Sequence, residues 1–265
     1  MSETAPVRIV DCHHHVYQAS RPIYPGGTPH PDATLLDYDA VRARVGITHH
    51  VLVQPSAYGF DNALHLEALR GREGFARLVA VVPPDLGAAE AGRLRAAGVV
   101  GVRANLVQGI PLAPSDVPAL GRLCADQGWH LQVFANAEMV AGMAGVLRAL
   151  PCPLVLDHYA LLPPEGYQRH AAWPVVAGLL AAGRAWVKLS SPYALSPGEI
   201  GPLTHALATE GPGQLVWGTN WPHPNAKGVP QDEAALMAGA LLPLPASLRP
   251  AVLWDNPARL YGFAS

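Results

Sequence analysis

Charge is scarce in this chain, and sulfur scarcer. Only 14% of the 265 residues are Asp, Glu, Lys or Arg, and 18 basic against 20 acidic residues leave a formal net charge of -2. With no basic excess to neutralise phosphates, nucleic acid is excluded as a partner. The three cysteines, Cys12, Cys124 and Cys152, are odd in number, far apart and free of C-x-x-C spacing. That excludes a disulfide framework or a zinc knuckle and leaves ordinary buried thiols. No apolar run reaches the roughly 18 residues of a membrane span; the longest, such as 173–183, stop well short. Residues 1–6 lack a basic-then-apolar signal pattern, so the expectation is a soluble cytoplasmic protein with no membrane partner. Low-complexity tracts and solenoid repeats are missing as well.

What is plentiful is apolar material: half of the chain is hydrophobic, enough for one large core. Glycine (26) and proline (27) make up a fifth of the residues and are spread along the chain, as in a fold with many connections. Short runs rich in Val, Ile and Leu recur at 8–12, 50–54, 78–82, 99–104, 130–134, 154–157, 185–188 and 215–218. Segments with apolar residues at three-to-four spacing lie between them, at 38–45, 62–70, 88–97, 116–126, 139–150, 175–182, 199–209 and 232–242, with a closing helix at 256–261. Eight strands alternating with helices over this length predict an α/β fold, a distorted (β/α)8 TIM barrel forming a single domain over 1–265. An open sheet of six or seven strands is the alternative, but no G-x-G-x-x-G follows any strand.

A barrel gathers the residues just past its strand ends on one rim, where active sites are built. His13 and His15 alternate along the first strand and so face one way, whereas His14 faces the surrounding helices. His158 ends the sixth strand and supplies a third imidazole. Three neutral imidazoles suit zinc with an open fourth position, or a metal-free grip on a substrate carbonyl; hydrogen-bonded rim histidines are the bland reading. Arg103, in Gly-Val-Arg-Ala-Asn, is placed for a bidentate grip on a carboxylate, with a structural salt bridge as its equal rival. Gln54, Ser56, Tyr58, Asn105 and Tyr193 add amides and hydroxyls, though both tyrosines also suit rim packing. Asp61 and Asn62 suit the start of the next helix. Trp221 suits packing beneath the site, His223 suits holding its loop, and Lys188 has no assigned role. His49, His65, His170 and His205 fall where histidines are structural.

Taken together, Asp-x-His-x-His, Gln-Pro-Ser-x-Tyr-Gly-x-Asp-Asn, Gly-Val-Arg-x-Asn, Asp-His, Val-Lys-Leu-Ser and Trp-Gly-Thr-Asn-Trp-Pro-His-Pro resemble the amidohydrolase superfamily. Within it they are similar to the lactone-acting branch that includes 2-pyrone-4,6-dicarboxylate lactonase and galactarolactone isomerase. The resemblance spans nearly the whole chain. It implies carbonyl-polarising or vestigial metal-ligand roles for His13, His15 and His158, carboxylate binding by Arg103, and a substrate pocket that includes Gln54, Ser56 and Tyr58.

Three departures from that pattern narrow the expectation. The fifth strand ends Gln132-Val133-Phe134-Ala135-Asn136 without the histidine of metal-dependent relatives. No further arginine follows Arg103 within Asn105-Leu106-Val107-Gln108-Gly109, nor follows Tyr193, so a dicarboxylated pyrone fits poorly. Asn220 stands where the resemblance implies an aspartate that ligates metal and takes a proton from water. An amide is neutral and cannot be that base. A lactone's own hydroxyl, held beside its carbonyl at high effective concentration, needs less activation than water does. The leading expectation is therefore a metal-independent δ- to γ-lactone isomerase acting on a small carboxylated sugar-acid lactone, with His13, His15, His158 and Asn220 catalytic and no cofactor. The alternatives are a lactonase, with water activated by a histidine or by zinc on His13, His15 and His158, and a silent barrel that binds an acidic metabolite.

Overall fold

The computed structural model describes residues 8–224, 226 and 228–264. Residues 1–6, which lack a signal pattern in sequence, lie outside them. Eight strands form one sheet in sequential order, each parallel to the next: β1 Val10–His14, β2 His49–Val53, β3 Ala76–Ala80, β4 Val99–Asn105, β5 His130–Phe134, β6 Leu154–Leu156, β7 Ala185–Leu189 and β8 Leu215–Trp217. Helices α1 Leu35–Val45, α2 Ala63–Leu69, α3 Ala88–Ala96, α4 Val117–Gln127, α5 Ala137–Gly142, α6 Ala144–Ala149, α7 Trp173–Ala181, α8 Ile200–Glu210 and α9 Glu233–Leu241 lie in the connections, and α10 Asn256–Tyr261 follows. This is the expected (β/α)8 barrel. None of its described helices is long and apolar enough to cross a membrane.

Several expected boundaries move by a few residues, β3 lying at Ala76–Ala80 instead of 78–82 for example, and two of the changes have a visible cause. The first strand runs through His14 instead of stopping at Cys12, because its histidines are buried with hydrogen-bond partners and the chain stays extended past the apolar run. The helix expected over 139–150 divides into α5 and α6 at Met143, beside Gly142 and Gly145, which lower helix propensity on both sides of the break.

Alternation along the strands builds two apolar layers. Leu52, Leu78, Leu154 and Leu215 join the helices in the larger cluster. Val51, Val53, Val79, Val155 and Val216, on the opposite face, gather with Cys12, Tyr261 and Phe263. That second face is the barrel interior, and α10 delivers Tyr261 to it.

The ring closes between β1 and the residues just past β8. Asn220 N donates to His13 O at 2.7 Å and His15 N to Trp221 O at 2.8 Å. Asp11 stitches the same seam: Oδ1 accepts from His13 N (3.0 Å) and Thr219 N (2.9 Å), and Oδ2 from Thr219 Oγ1 (2.7 Å) and Tyr38 Oη (2.8 Å). Burial pushes the Asp11 carboxyl up, and these bonds partly counter it. Gly218 lets the seam close, since a Cβ there would lie 2.8 Å from both His13 Cβ and His13 N. Gly218→Ala is therefore expected to lower stability by about 2 kcal/mol through overpacking. Urea denaturation measures it, and an unchanged midpoint would show that the seam has slack.

Candidate active site

The strand ends enclose a cavity of about 510 Å³. Of the residues expected to form the site, His15, Ser56, Arg103, Asn105, His158, Tyr193 and Asn220 line it. His13 stands behind them, its ring 4.9 Å from that of His15 and 4.8 Å from that of His158. Gln54 and Tyr58 are not in the lining. Gln54 Nε2 donates to Asp61 O at 2.7 Å, and the Tyr58 hydroxyl bonds the backbone of Gln18. His14 faces outward as expected, stacked on Tyr38 of α1 with ring centroids 3.5 Å apart.

Left-handed backbone aims several of these side chains. The four residues from His158 to Leu161 all have φ between 45° and 57°, and Ser191 (53°), Asn220 (59°) and His223 (65°) share that region. Each such non-glycine residue costs on the order of 1 kcal/mol and persists only where its surroundings over-determine it. The turn after β6 brings His158 into the cavity, with Nδ1 2.8 Å from Ser190 Oγ.

Beneath the cavity floor a carboxylate is wholly buried. Asp157 Oδ2 accepts from Arg103 Nε (3.0 Å) and Gln132 Nε2 (3.2 Å), while Oδ1 lies 3.3 Å from His13 Nδ1 and 3.8 Å from Lys188 Nζ. Lys188, itself buried, donates to Cys12 O (2.8 Å) and Gln132 Oε1 (2.7 Å). Burial alone pushes the Asp157 carboxyl up, but His13, Arg103 and Lys188 hold it well below the usual carboxylate range. Burial lowers Lys188 to about 8 despite Asp157. The rival reading of Arg103 as a salt-bridge partner thus holds for its Nε, while its guanidinium also borders the cavity. Lys188, Asp157 and Gln132 were not among the expected site residues. The signal for Lys188 was a lone charge in the apolar run Ala-Trp-Val-Lys-Leu. Tyr17, Thr28, His30 and Gln108 also line the cavity, the first three from the long segment between β1 and α1, where no strand or helix signal pointed.

Burial keeps the imidazoles neutral. It lowers His13 and His15 well below the ordinary histidine value, reinforced at His15 by Arg103, and brings His158 to about 4. The tautomer of His15 follows from its partner: Nδ1 is 2.7 Å from Val53 O, which only accepts, so Nδ1 carries the proton and Nε2 a lone pair. That Nε2 lies 3.3 Å from His13 Nε2. The described lining holds one guanidinium, neutral donors and acceptors, and no carboxylate.

The donors that converge within 4.8 Å come from His13, Asp157 and His158, so His15 of the expected zinc set is replaced by a carboxylate. Their surroundings fit a divalent cation poorly. Arg103 already pairs with Asp157, and the Lys188 ammonium is 3.8 Å from its other oxygen. Zinc about 2 Å from that oxygen would lie within about 6 Å of Lys188, a repulsion of about 5 kcal/mol at an effective dielectric near 20.

The amidohydrolase family model matches residues 10–263. A 2-pyrone-4,6-dicarboxylate hydrolase of Comamonas testosteroni is 31% identical, over 97% of this chain and 90% of its own. A D-galactarolactone isomerase of Agrobacterium fabrum is 24% identical, over 97% and 91%. The crystal structure of a probable 2-pyrone-4,6-dicarboxylic acid hydrolase from Acinetobacter baumannii with citric acid bound superposes with a TM-score of 0.84 at 25% identity, covering 96% of this chain and 99% of that one.

Neutral buried imidazoles carry a stability signature. His13, His14, His15 and His50 are lowered well below 6.5, His65 and His130 to about 3 and His158 to about 4, each mainly by burial. Below pH 6.5 the unfolded chain therefore binds protons that the fold refuses. Stability is expected to fall steadily from pH 6.5 toward 4, each imidazole contributing up to about 1.4 kcal/mol per pH unit. Asp157, lowered from 3.8, adds to the loss only below about pH 4. Urea midpoints across this range test it; a flat profile from 6.5 to 4.5 would contradict neutral burial.

Proposed function

Because the chain belongs to the amidohydrolase family, we propose that its cavity is the active site of a lactone-acting enzyme that converts a carboxylated sugar-acid δ-lactone to its γ-lactone without metal. The observation that carries this reading is Asn220, a neutral amide lining the cavity just past β8, with a buried Oδ1 that has no partner among the described residues. Relatives named as a lactone hydrolase and a galactarolactone isomerase support the substrate class. A lining with one guanidinium, several hydroxyls and amides and no described carboxylate supports an acidic, hydroxylated ligand.

In this reading the substrate carboxylate pairs with Arg103, whose plane is held by Asp157 through Nε. Asn220 Oδ1 accepts a hydrogen bond from the substrate hydroxyl and so places its oxygen against the lactone carbonyl. As that oxygen bonds to the carbonyl carbon, His15 Nε2 takes its proton. His13 Nε2, 3.3 Å away, helps to hold the proton, with Asp157 behind His13. His158 accepts from the Ser190 hydroxyl at Nδ1 and offers Nε2–H to the carbonyl oxygen as negative charge develops there. The ring C–O bond then breaks and the departing oxygen recovers the proton. Nothing is added or lost, so no water need be activated.

A second reading, lactone hydrolysis, is favoured by the same His15 lone pair, which can take a proton from water, and by the name of the 31% identical relative. Proton NMR of the enzyme with aldaric and aldonic δ-lactones separates the two. A γ-lactone is expected before any open-chain acid, and Asn220→Asp is expected to shift product toward the acid; direct formation of the acid by the unaltered enzyme makes hydrolysis the reaction. Arg103→Met is expected to raise KM for carboxylated lactones by about 10- to 100-fold, relative to uncarboxylated ones. An equal effect on both classes would remove the carboxylate from this arginine.

A further inference from the structure

The atoms that hold Asn220 lead away from the cavity. Its Nδ2 lies 3.0 Å from the Tyr193 hydroxyl and 3.2 Å from Ser191 Oγ. The Tyr193 hydroxyl is 2.9 Å from His223 Nδ1, and His223 Nε2 is 3.1 Å from Glu233 Oε1. Glu233, the first residue of α9, is buried, and its other oxygen pairs with Arg44 of α1. None of this chain beyond Tyr193 touches the reacting atoms of the proposed isomerisation.

The polarity of the chain follows from its charged end. Burial pushes the Glu233 carboxyl up, but His223, the backbone and Arg44 bring it below its ordinary value, so it is an ionised acceptor. His223 Nε2 therefore carries hydrogen. In the neutral ring Nδ1 is then a lone pair, and only the Tyr193 hydroxyl can donate to it. Burial raises Tyr193, so the phenol keeps that proton. With its proton committed to His223, the Tyr193 oxygen can only accept, and what it accepts is an Asn220 N–H. Turning the amide over would set its oxygen against the phenol's lone pairs. The Ser191 hydroxyl rotates freely and does not choose between the two orientations.

We propose that Glu233 and His223 are positioning residues that lock the Asn220 amide with its carbonyl oxygen toward the substrate, making the end of β8 an acceptor and not a donor for the substrate hydroxyl. The proposal rests on the isomerase reading for what the acceptor does, but the orientation itself can be measured without turnover. Two left-handed residues, Asn220 and His223, and the bond from His223 N to Asn220 O at 2.7 Å hold the link in shape.

The first test is nitrogen-15 NMR of the His223 imidazole at neutral pH. The expected state is protonated at Nε2 and bare at Nδ1. In Asn220→Asp the new carboxylate only accepts, so Tyr193 must donate to it and both His223 nitrogens are expected to carry protons. An Nδ1–H tautomer in the unaltered protein, or no change in the variant, overturns the proposal. The second test is kinetic. Glu233→Gln is expected to lower kcat about tenfold with KM within about threefold, and to lower it less than twofold further in Asn220→Asp, where no amide remains to orient. Equal losses in both backgrounds would reduce Glu233 to a structural part and overturn the proposal. Where Asn220→Asp has no turnover, the NMR result decides. An open-chain acid as first product refutes the isomerase reading and leaves the tautomer result standing, so the two failures are distinguishable.

Discussion

A buried carboxylate organises this barrel. Asp157 sits where water cannot reach it, and an isolated carboxylate there costs several kcal/mol. The fold meets that cost with Arg103 from β4, Gln132 from β5 and Lys188 from β7, turned inward by strand alternation, and with His13 from β1, turned inward beside Cys12 by an irregularity of register between Asp11 and His14. Removing any one of these partners leaves the others unbalanced, which is why the charges belong together. The same contacts set the residues that line the cavity above them: Asp157 holds the Arg103 guanidinium and His13, and His13 meets His15 and His158.

Cations buried around one anion also determine what chemistry remains possible. Burial first, then Arg103, keeps His15 and His158 neutral, with Lys188 adding to the effect at His158, so that each imidazole keeps a lone pair at pH 7. The neutral amide of Asn220 matches this. It orients without taking a proton, so in the proposed reaction the proton travels only between substrate and histidine. The seam that closes the ring and the site are one structure, since Asn220 N bonds His13 O and His15 N bonds Trp221 O. Misclosure of the barrel would therefore misplace the site at the same time.

Much of this was legible in the order of residues. Eight apolar runs, each at strand length and parted by helix-length segments, gave the barrel, and the alternation of His13 and His15 placed both inward and His14 outward. Other parts were not legible for physical reasons. Gln54 and Tyr58 have the polar chemistry of site residues, but Gln54 Nε2 goes to the backbone of Asp61 and the Tyr58 hydroxyl to that of Gln18, and composition does not reveal which partner a polar group finds. Tyr17, Thr28 and His30 reach the cavity from a segment with no periodicity, where the path depends on what it packs against. Lys188 could be given no role from the sequence, because its partners, Cys12, Gln132 and Asp157, are remote in the chain.

What the sequence determined by itself is therefore what depends on neighbours a few residues apart: strand and helix period and the side each residue faces. The tertiary structure alone decided which nitrogen of His15 is bare, that Asn220 Nδ2 meets Tyr193 and Ser191, and that Arg103 serves both an internal carboxylate and the cavity wall. Those properties depend on hydrogen bonds between segments up to about two hundred residues apart, formed only once β1 meets β8 and the ring closes.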